Sequence, residues 1–346
     1  MNIYVPNGGS QTIQVFRMGR FKALEPVQEI AVPGEAPPGN LSLPIAVSPN
    51  RRYLYAAVRT PGFPVSSFAI EPGTGRLSPL GTAHLVDSMC AIATDRSGRY
   101  LLSASYGGSV VSVNTIDPLG LVREPALQVL PTPPKAHCVR IDRDNRFAYA
   151  ASLGGDQILH YRFDAARGRL TPASPPSIAT AQGAGPRHLA FHPQWPFLYM
   201  VGELNGTLGA YRIDVASGAL AEITTLGILP AGFAGTPSAA DIHLTPDGRF
   251  LYTSERASNT LAGFRIDPST GKPSPIGHWA TEKHPRGFAI DPAGGHLAAA
   301  GMHADRLAVY AIDQATGALT QTASVPTGHL PNWVEIIEPA ADASPV

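Results

Sequence analysis

Cysteine is nearly absent: Cys90 and Cys138 are the only two, and both lie in apolar, strand-like runs. That excludes a disulfide framework and predicts buried free thiols in a reducing compartment. Charge is scarce as well, at 15% of residues against the usual quarter. Its 26 basic residues balance its 26 acidic ones, so no net field draws nucleic acid or acidic lipid to the surface. No apolar run approaches the roughly 18 residues of a membrane span. The opening Met1-Asn2-Ile3-Tyr4-Val5-Pro6 lacks the basic and apolar stretches of a signal peptide. Cys/His spacings of a zinc site, a phosphate-cradling Gly loop and a Gly-x-Ser-x-Gly elbow are all missing. The expectation is a soluble cytoplasmic protein with no metal or other cofactor and no nucleic-acid or membrane partner.

What the chain has in excess is turn residues: 35 Gly and 34 Pro in 346 positions favour many short strands over long helices. Those strands repeat. Six segments share an apolar run, a Pro/Asp/Gly turn, an aromatic-rich run, and a third run after another turn. Ile45-Ala-Val-Ser-Pro-Asn-Arg-Arg-Tyr-Leu-Tyr and Ile242-His-Leu-Thr-Pro-Asp-Gly-Arg-Phe-Leu-Tyr are two of them. The residue opening the second run falls at Tyr53, Tyr100, Phe147, Phe197, Phe250 and His296, spaced by 47, 47, 50, 53 and 46. A further strand follows, entered through turns such as Asp214 to Gly218, Asp267 to Gly271 and Asp313 to Gly317.

Four strands in each such unit make a propeller blade. A seventh blade is split. Ile3–Val5 and Ile13–Phe16 read as middle and outer strands, and Trp333-Val-Glu-Ile-Ile supplies the innermost one, closing the ring. The all-β fold expected is therefore a seven-bladed β-propeller of four-stranded blades, filling residues 1–346 as one domain with a flexible tail from about 339. An open β-sandwich is the weaker alternative, because six copies in phase and two complementary ends need a ring.

Connectivity then sorts the unusual residues. The inner and second strands of a blade form a hairpin, so the start of one and the end of the other share a mouth of the ring. Inner strands begin beside His137, Arg187-His188, Asp241 with His243, Arg286 and Asn332-Trp333; second strands end at Arg59, Tyr106, Glu203 and Glu255-Arg256. Cationic, carboxylate and imidazole groups from several blades thus converge at one end of the channel, the default place for a ligand site. Each also has a structural reading. Glu203 can simply be the ion-pair partner of Arg187, His137 a satisfied core histidine, and Arg256 or Arg286 half of an interblade pair. His192, in a turn at the opposite mouth, is expected to be structural. The inner-to-second turns themselves are ordinary turn chemistry.

Gly183-Ala-Gly-Pro-Arg-His-Leu-Ala-Phe-His-Pro, Gly202-Glu-Leu-Asn, Ala239-Ala-Asp-Ile-His-Leu-Thr-Pro-Asp-Gly-Arg and Pro285-Arg-Gly-Phe together resemble the propeller-type 6-phosphogluconolactonases. That family is in turn similar to the fungal-type carboxymuconate lactonizing enzymes. The likeness runs from Val58-Arg59 to the Trp333 strand. It implies hydrolysis of a sugar δ-lactone without a required metal, with His137, Arg187, Glu203 and Arg256 as catalytic residues. Arg59, His188, His243 and Arg286 are then candidates for binding a phosphate or carboxylate of the small-molecule lactone. Glu203 and His137 both remain open as the general base. Two departures bear on the substrate: Ser254-Glu-Arg256 replaces a more usual Asp or Asn before the arginine, and the loop from Gly227 to Pro237 lacks a tryptophan often found there. The rival readings are a cycloisomerase on a muconate-type diacid and a non-catalytic binding propeller. The second lacks its Gly-His and Trp-Asp signature here. A closed, uncharged ring is compatible with a monomer.

Overall fold

Among the described residues, apolar alternation between frequent turns yields 28 strands, sorted into seven four-stranded antiparallel sheets. This architecture comes from a computed structural model that describes residues 1–19, 24–34 and 42–340. The expected tail falls largely outside these, since residues 341–346 are not among them. The inner strand of each sheet touches that of the next, and Glu335–Ile337 touches Ile45–Val47, so the sheets close into a ring. The second strands open at Tyr53, Tyr100, Phe147, Phe197, Phe250 and His296, the positions the repeat requires.

Numbered in chain order, blades 1 to 6 carry the inner strands Ile45–Val47, Met89–Thr94, Ala136–Ile141, Pro186–Phe191, Ala239–Leu244 and Pro285–Ile290. Blade 7 joins the termini: Glu335–Ile337 pairs with Asn2–Asn7, followed outward by Thr12–Met18 and Leu24–Ala31. Its inner strand is shorter than the sequence suggested and starts at Glu335. Trp333 stays outside the ladder and donates its indole N–H to Glu335 Oε1 at 3.0 Å, while Asn332 Oδ1 accepts the Leu43 amide at 3.0 Å and ties the closure to blade 1.

The turns at the far mouth are capped by their own side chains. Asp142 Oδ1 accepts the amides of Arg146 and Phe147 at 2.7 and 2.9 Å, and Asp291 Oδ1 those of Gly295 and His296 at 2.6 and 3.1 Å. In blade 4 a histidine does this work. His192 Nδ1 accepts from Gln194 and Trp195, the structural role its position implied.

Neighbouring blades are joined by one repeated contact. A tyrosine on the second strand donates its hydroxyl to the carbonyl of the turn glycine in the next blade: Tyr149 to Gly218 at 2.6 Å, Tyr199 to Gly271 at 2.9 Å, Tyr252 to Gly317 at 2.7 Å, and Tyr4 to Gly75 at 2.7 Å. These phenols are buried, so the bond replaces water that burial removed. The glycine is required twice over. At Gly271 φ is +74°, and a Cβ there would sit 2.6 Å from the Phe197 ring of the preceding blade. We therefore expect Gly271→Ala to cost about 2 kcal/mol of unfolding free energy. Urea denaturation would check this, and an unchanged midpoint would remove the seam from the stability argument.

Candidate active site

Near the start of the inner strand in blades 2 to 6, pairing with the second strand slips by one residue. Each slip is a β-bulge, which unpairs a residue and re-aims its side chain. The slips bracket Cys90, His137, Arg187, Ala240-Asp241 and Arg286. Tyr106, Glu203 and Arg256 directly follow the second strands of blades 2, 4 and 5. Hairpin geometry brings both sets to one mouth. Just before the inner strands, Lys135 and His284 hold left-handed backbones at φ +63° and +60°.

Glu203 is the centre of the cluster. Its Oε1 lies 2.7 Å from Arg256 Nη2 and its Oε2 2.8 Å from Arg187 Nε. The Nε–H of Arg187 is not aimed at that oxygen, so this contact is an ion pair rather than an aligned hydrogen bond. Arg187 is only 2% exposed, and its Nη1 donates to the Ala240 carbonyl. Arg256 donates Nε to the Ser238 carbonyl at 2.9 Å. Burial alone would raise the Glu203 carboxyl, but Arg187 and Arg256 outweigh it and hold the group below the usual carboxylate range. Glu203 is ionised at neutral pH.

Behind Arg187 runs a second chain. Arg187 Nη1 lies 3.3 Å from His188 Nε2, and His188 Nδ1 lies 2.7 Å from Asp241 Oδ1. Because a guanidinium only donates, His188 Nε2 accepts and its Nδ1–H points at Asp241. The buried Asp241 also receives the amides of Ile242 at 2.9 Å and Phe288 at 3.2 Å, and the His243 Nε2 at 3.2 Å. Burial opposes its charge, but His243 and His188 hold the carboxyl well below its ordinary value. Burial and the Arg187 charge push His188 down to about 4.

His137 is 5% exposed, with its ring 5.4 Å from that of His188 and 6.0 Å from Tyr106. Its Nδ1 has no hydrogen-bond partner among the described residues. Burial, then the charges of Arg187, His188 and Arg286, push it well below the ordinary imidazole value, so the ring is neutral. Arg286 forms no ion pair among the described residues; burial with Arg187 and Arg256 nearby lowers it to about 9. Arg59 donates Nε to Ser88 Oγ at 2.9 Å and adds its charge to the same field.

Seven of the eight residues singled out in the sequence therefore meet at this mouth, His188 lying behind Arg187 rather than in the opening. His243 lies elsewhere: it lines a cavity on the opposite half of the channel and reaches the cluster only through Asp241. Two contributors received no assigned role from sequence. Asp241 had been seen at the mouth, but nothing local marks it as the shared acceptor of two histidines. His284, stacked on His303 at 4.0 Å, is pushed to about 3 by burial, by His303 and by the three mouth arginines Arg256, Arg286 and Arg187. Its signal was its place two residues before Arg286.

Residues 3–336 match the family described as "Lactonase, 7-bladed beta-propeller". The chain belongs to that family. It is 41% identical over 335 residues to a 6-phosphogluconolactonase of Pectobacterium carotovorum, covering 97% of this chain and 98% of the relative. A 6-phosphogluconolactonase of Serratia proteamaculans is 40% identical over 337 residues, with the same coverage. Among solved structures, the periplasmic gluconolactonase of Pseudomonas aeruginosa superposes with a TM-score of 0.87 at 28% identity, covering 96% of this chain and 98% of that one. The family resemblance seen in the sequence is thereby borne out over nearly the whole chain.

For this lactonase-family propeller the neutral histidines make a test of stability against pH. Folded His137 and His188 titrate below the ordinary value of about 6.5, so the unfolded chain binds more protons beneath that pH. Their contribution is complete above pH 6.5 and is lost as pH falls toward their folded values. The expected slope is about 1.4 kcal/mol per pH unit for each histidine. Urea denaturation from pH 7 to 4.5 should show it, and His137→Gln should lose its share. A flat profile would mean that these rings are charged when folded.

Proposed function

We infer that the protein is a hydrolase opening a sugar δ-lactone, with 6-phosphogluconolactone as the substrate that fits best. The observation that carries the phosphorylated substrate is a charge imbalance. Arg59, Arg187, Arg256 and Arg286 act on one another at the mouth, whereas Glu203 is the carboxylate that pairs with two of them. An anionic substrate completes that set. Among the described residues Arg286 and Arg59 pair with no carboxylate, and their guanidiniums suit bidentate contact with phosphate.

The chemistry follows from the remaining groups. Water adds to the lactone carbonyl carbon and gives a proton to the neutral imidazole of His137. The carbonyl oxygen becomes an oxyanion, met by the Arg187 and Arg256 guanidiniums. The ring C–O bond then breaks, the departing oxygen takes the proton from His137, and the new acid ionises. Both oxygens of Glu203 are engaged by Arg187 and Arg256, so its role is to brace both guanidiniums. The Asp241–His188 pair holds Arg187 from behind.

The same reading has the protein working as a cytoplasmic monomer without nucleic-acid or membrane partners. Two free, buried thiols support the compartment, and no described helix is long and apolar enough to cross a membrane. Cell fractionation is the check, given that the Pseudomonas neighbour is named periplasmic.

The deciding assay follows the disappearance of 6-phosphoglucono-δ-lactone against its buffer rate and against gluconolactone. Acceleration confined to the phosphorylated lactone is expected, and acceleration of neither would transfer the site to cycloisomerisation of a diacid. Glu203→Gln should keep the fold and lower kcat at least about tenfold. Arg286→Gln should raise KM for the phosphorylated lactone about tenfold or more while leaving gluconolactone turnover alone. Equal effects on both substrates would remove Arg286 from phosphate recognition.

A further inference from the structure

The channel opens a second time at the mouth formed by the inner-to-second turns. A cavity of about 380 Å³ lies there, bounded by the far halves of inner strands from six blades. That volume is enough for a small ligand. Apart from His243, none of its lining side chains was a site candidate.

Arg140, on the inner strand of blade 3, projects into this cavity and pairs with no carboxylate among the described residues. Arg96, in the turn of blade 2, lies beside it. Its Nε donates to the Asp142 carbonyl at 3.2 Å and its Nη2 to the Ile141 carbonyl at 3.4 Å. Burial, then the Arg140 charge, hold Arg96 below its ordinary value against the opposing pull of Asp142 and Asp95, and both arginines line the same partly dry cavity. The nearest acids are committed elsewhere. Asp142 Oδ1 caps its turn, and Asp95 caps its own turn with Oδ1 and takes Ser97 and Asn145 on Oδ2. Glu335, also lining the cavity, forms no ion pair with either arginine and already accepts the Trp333 indole; burial raises its carboxyl, with the Arg140 charge acting the other way. Converging guanidiniums without carboxylate partners are the arrangement that binds oxyanions.

We propose that this cavity is a second ligand site, for a small molecule whose phosphate or carboxylate group is held by Arg140 and Arg96. It does not depend on lactone chemistry at the other mouth.

Arginine modification by phenylglyoxal, mapped residue by residue, tests this in the unaltered protein with inorganic phosphate as the probe. Phosphate should slow modification of Arg140 about tenfold relative to chloride at equal ionic strength. In an Arg286→Gln background, which weakens the lactone mouth, calorimetry should still detect phosphate, and adding Arg140→Gln should weaken that binding about tenfold. Modification of Arg140 at one rate with or without phosphate overturns the proposal, as does unchanged phosphate affinity after Arg140→Gln. Lactone turnover by Arg140→Gln should stay at the unaltered rate, so failure of this site and failure of the lactonase reading are separable. Should acetate protect Arg140 as well as phosphate does, the group recognised is a carboxylate.

Discussion

Three ladder pairs, Asn2 with Ile337, Ile3 with Ile336 and Tyr4 with Glu335, and a separate bridge between Asn7 and Pro331 close the ring. Every other feature depends on that closure. Seven sheets held in a circle must point their inner strands at one axis, and the axis is where side chains from distant parts of the sequence can meet. An open array would leave two inner edges unpaired and would separate blade 2 from blade 6, between which the mouth cluster is assembled. Ile336 and Val334 pack with Ile3 and Val5 in one apolar cluster, so hydrophobic burial supports this short ladder.

Closure also creates an electrostatic problem. The axis is narrow, and a guanidinium 2% exposed there loses most of its hydration. Arg187 persists because three neighbours share the compensation: the Glu203 carboxylate, the Ala240 carbonyl and the acceptor nitrogen of His188. His188 in turn needs an acceptor for its own N–H, and Asp241 supplies it while taking two backbone amides and a second histidine. Arg187 Nη1, His188 and Asp241 are linked one to the next, which lets a buried charge hold one orientation. Preorganised positive charge of this kind acts on a developing oxyanion without rearranging first.

Much of this was legible in the sequence, for a physical reason. Turn chemistry is local, so Ser-Pro-Asn, Thr-Pro-Asp-Gly and Asp-to-Gly spacings located strand starts to the residue at Tyr53, Phe197 and Phe250. Hairpin connectivity then placed His137, Arg187, Glu203, Arg256, Arg286 and Arg59 at a common mouth without any distance being known. Bulges are different, because a slip in pairing is a property of two strands and leaves little trace in either. Sequence position alone put His243 with the others. The register puts it in the far half of the channel, while Asp241, beside it in the chain, falls within the bulge at the mouth. The Arg187–Glu203 pair within blade 4 was open to inference, but the sharing of Glu203 with Arg256 was not, since it depends on side-chain reach into the neighbouring blade.

Repetition and its interruption divide the labour in this fold. The tyrosine-to-glycine seam recurs at four of the seven junctions, and a fault there costs stability wherever it occurs. The bulge recurs too, but the residue it presents changes from cysteine to histidine to arginine around the ring. A bulged side chain is outside the ladder, so replacing it leaves the hydrogen bonds of the sheet intact. Chemistry at the mouth can therefore vary one blade at a time while the scaffold stays constant. This explains how Arg187, Arg286 and His137 accumulated on an axis whose surrounding strands are almost wholly apolar.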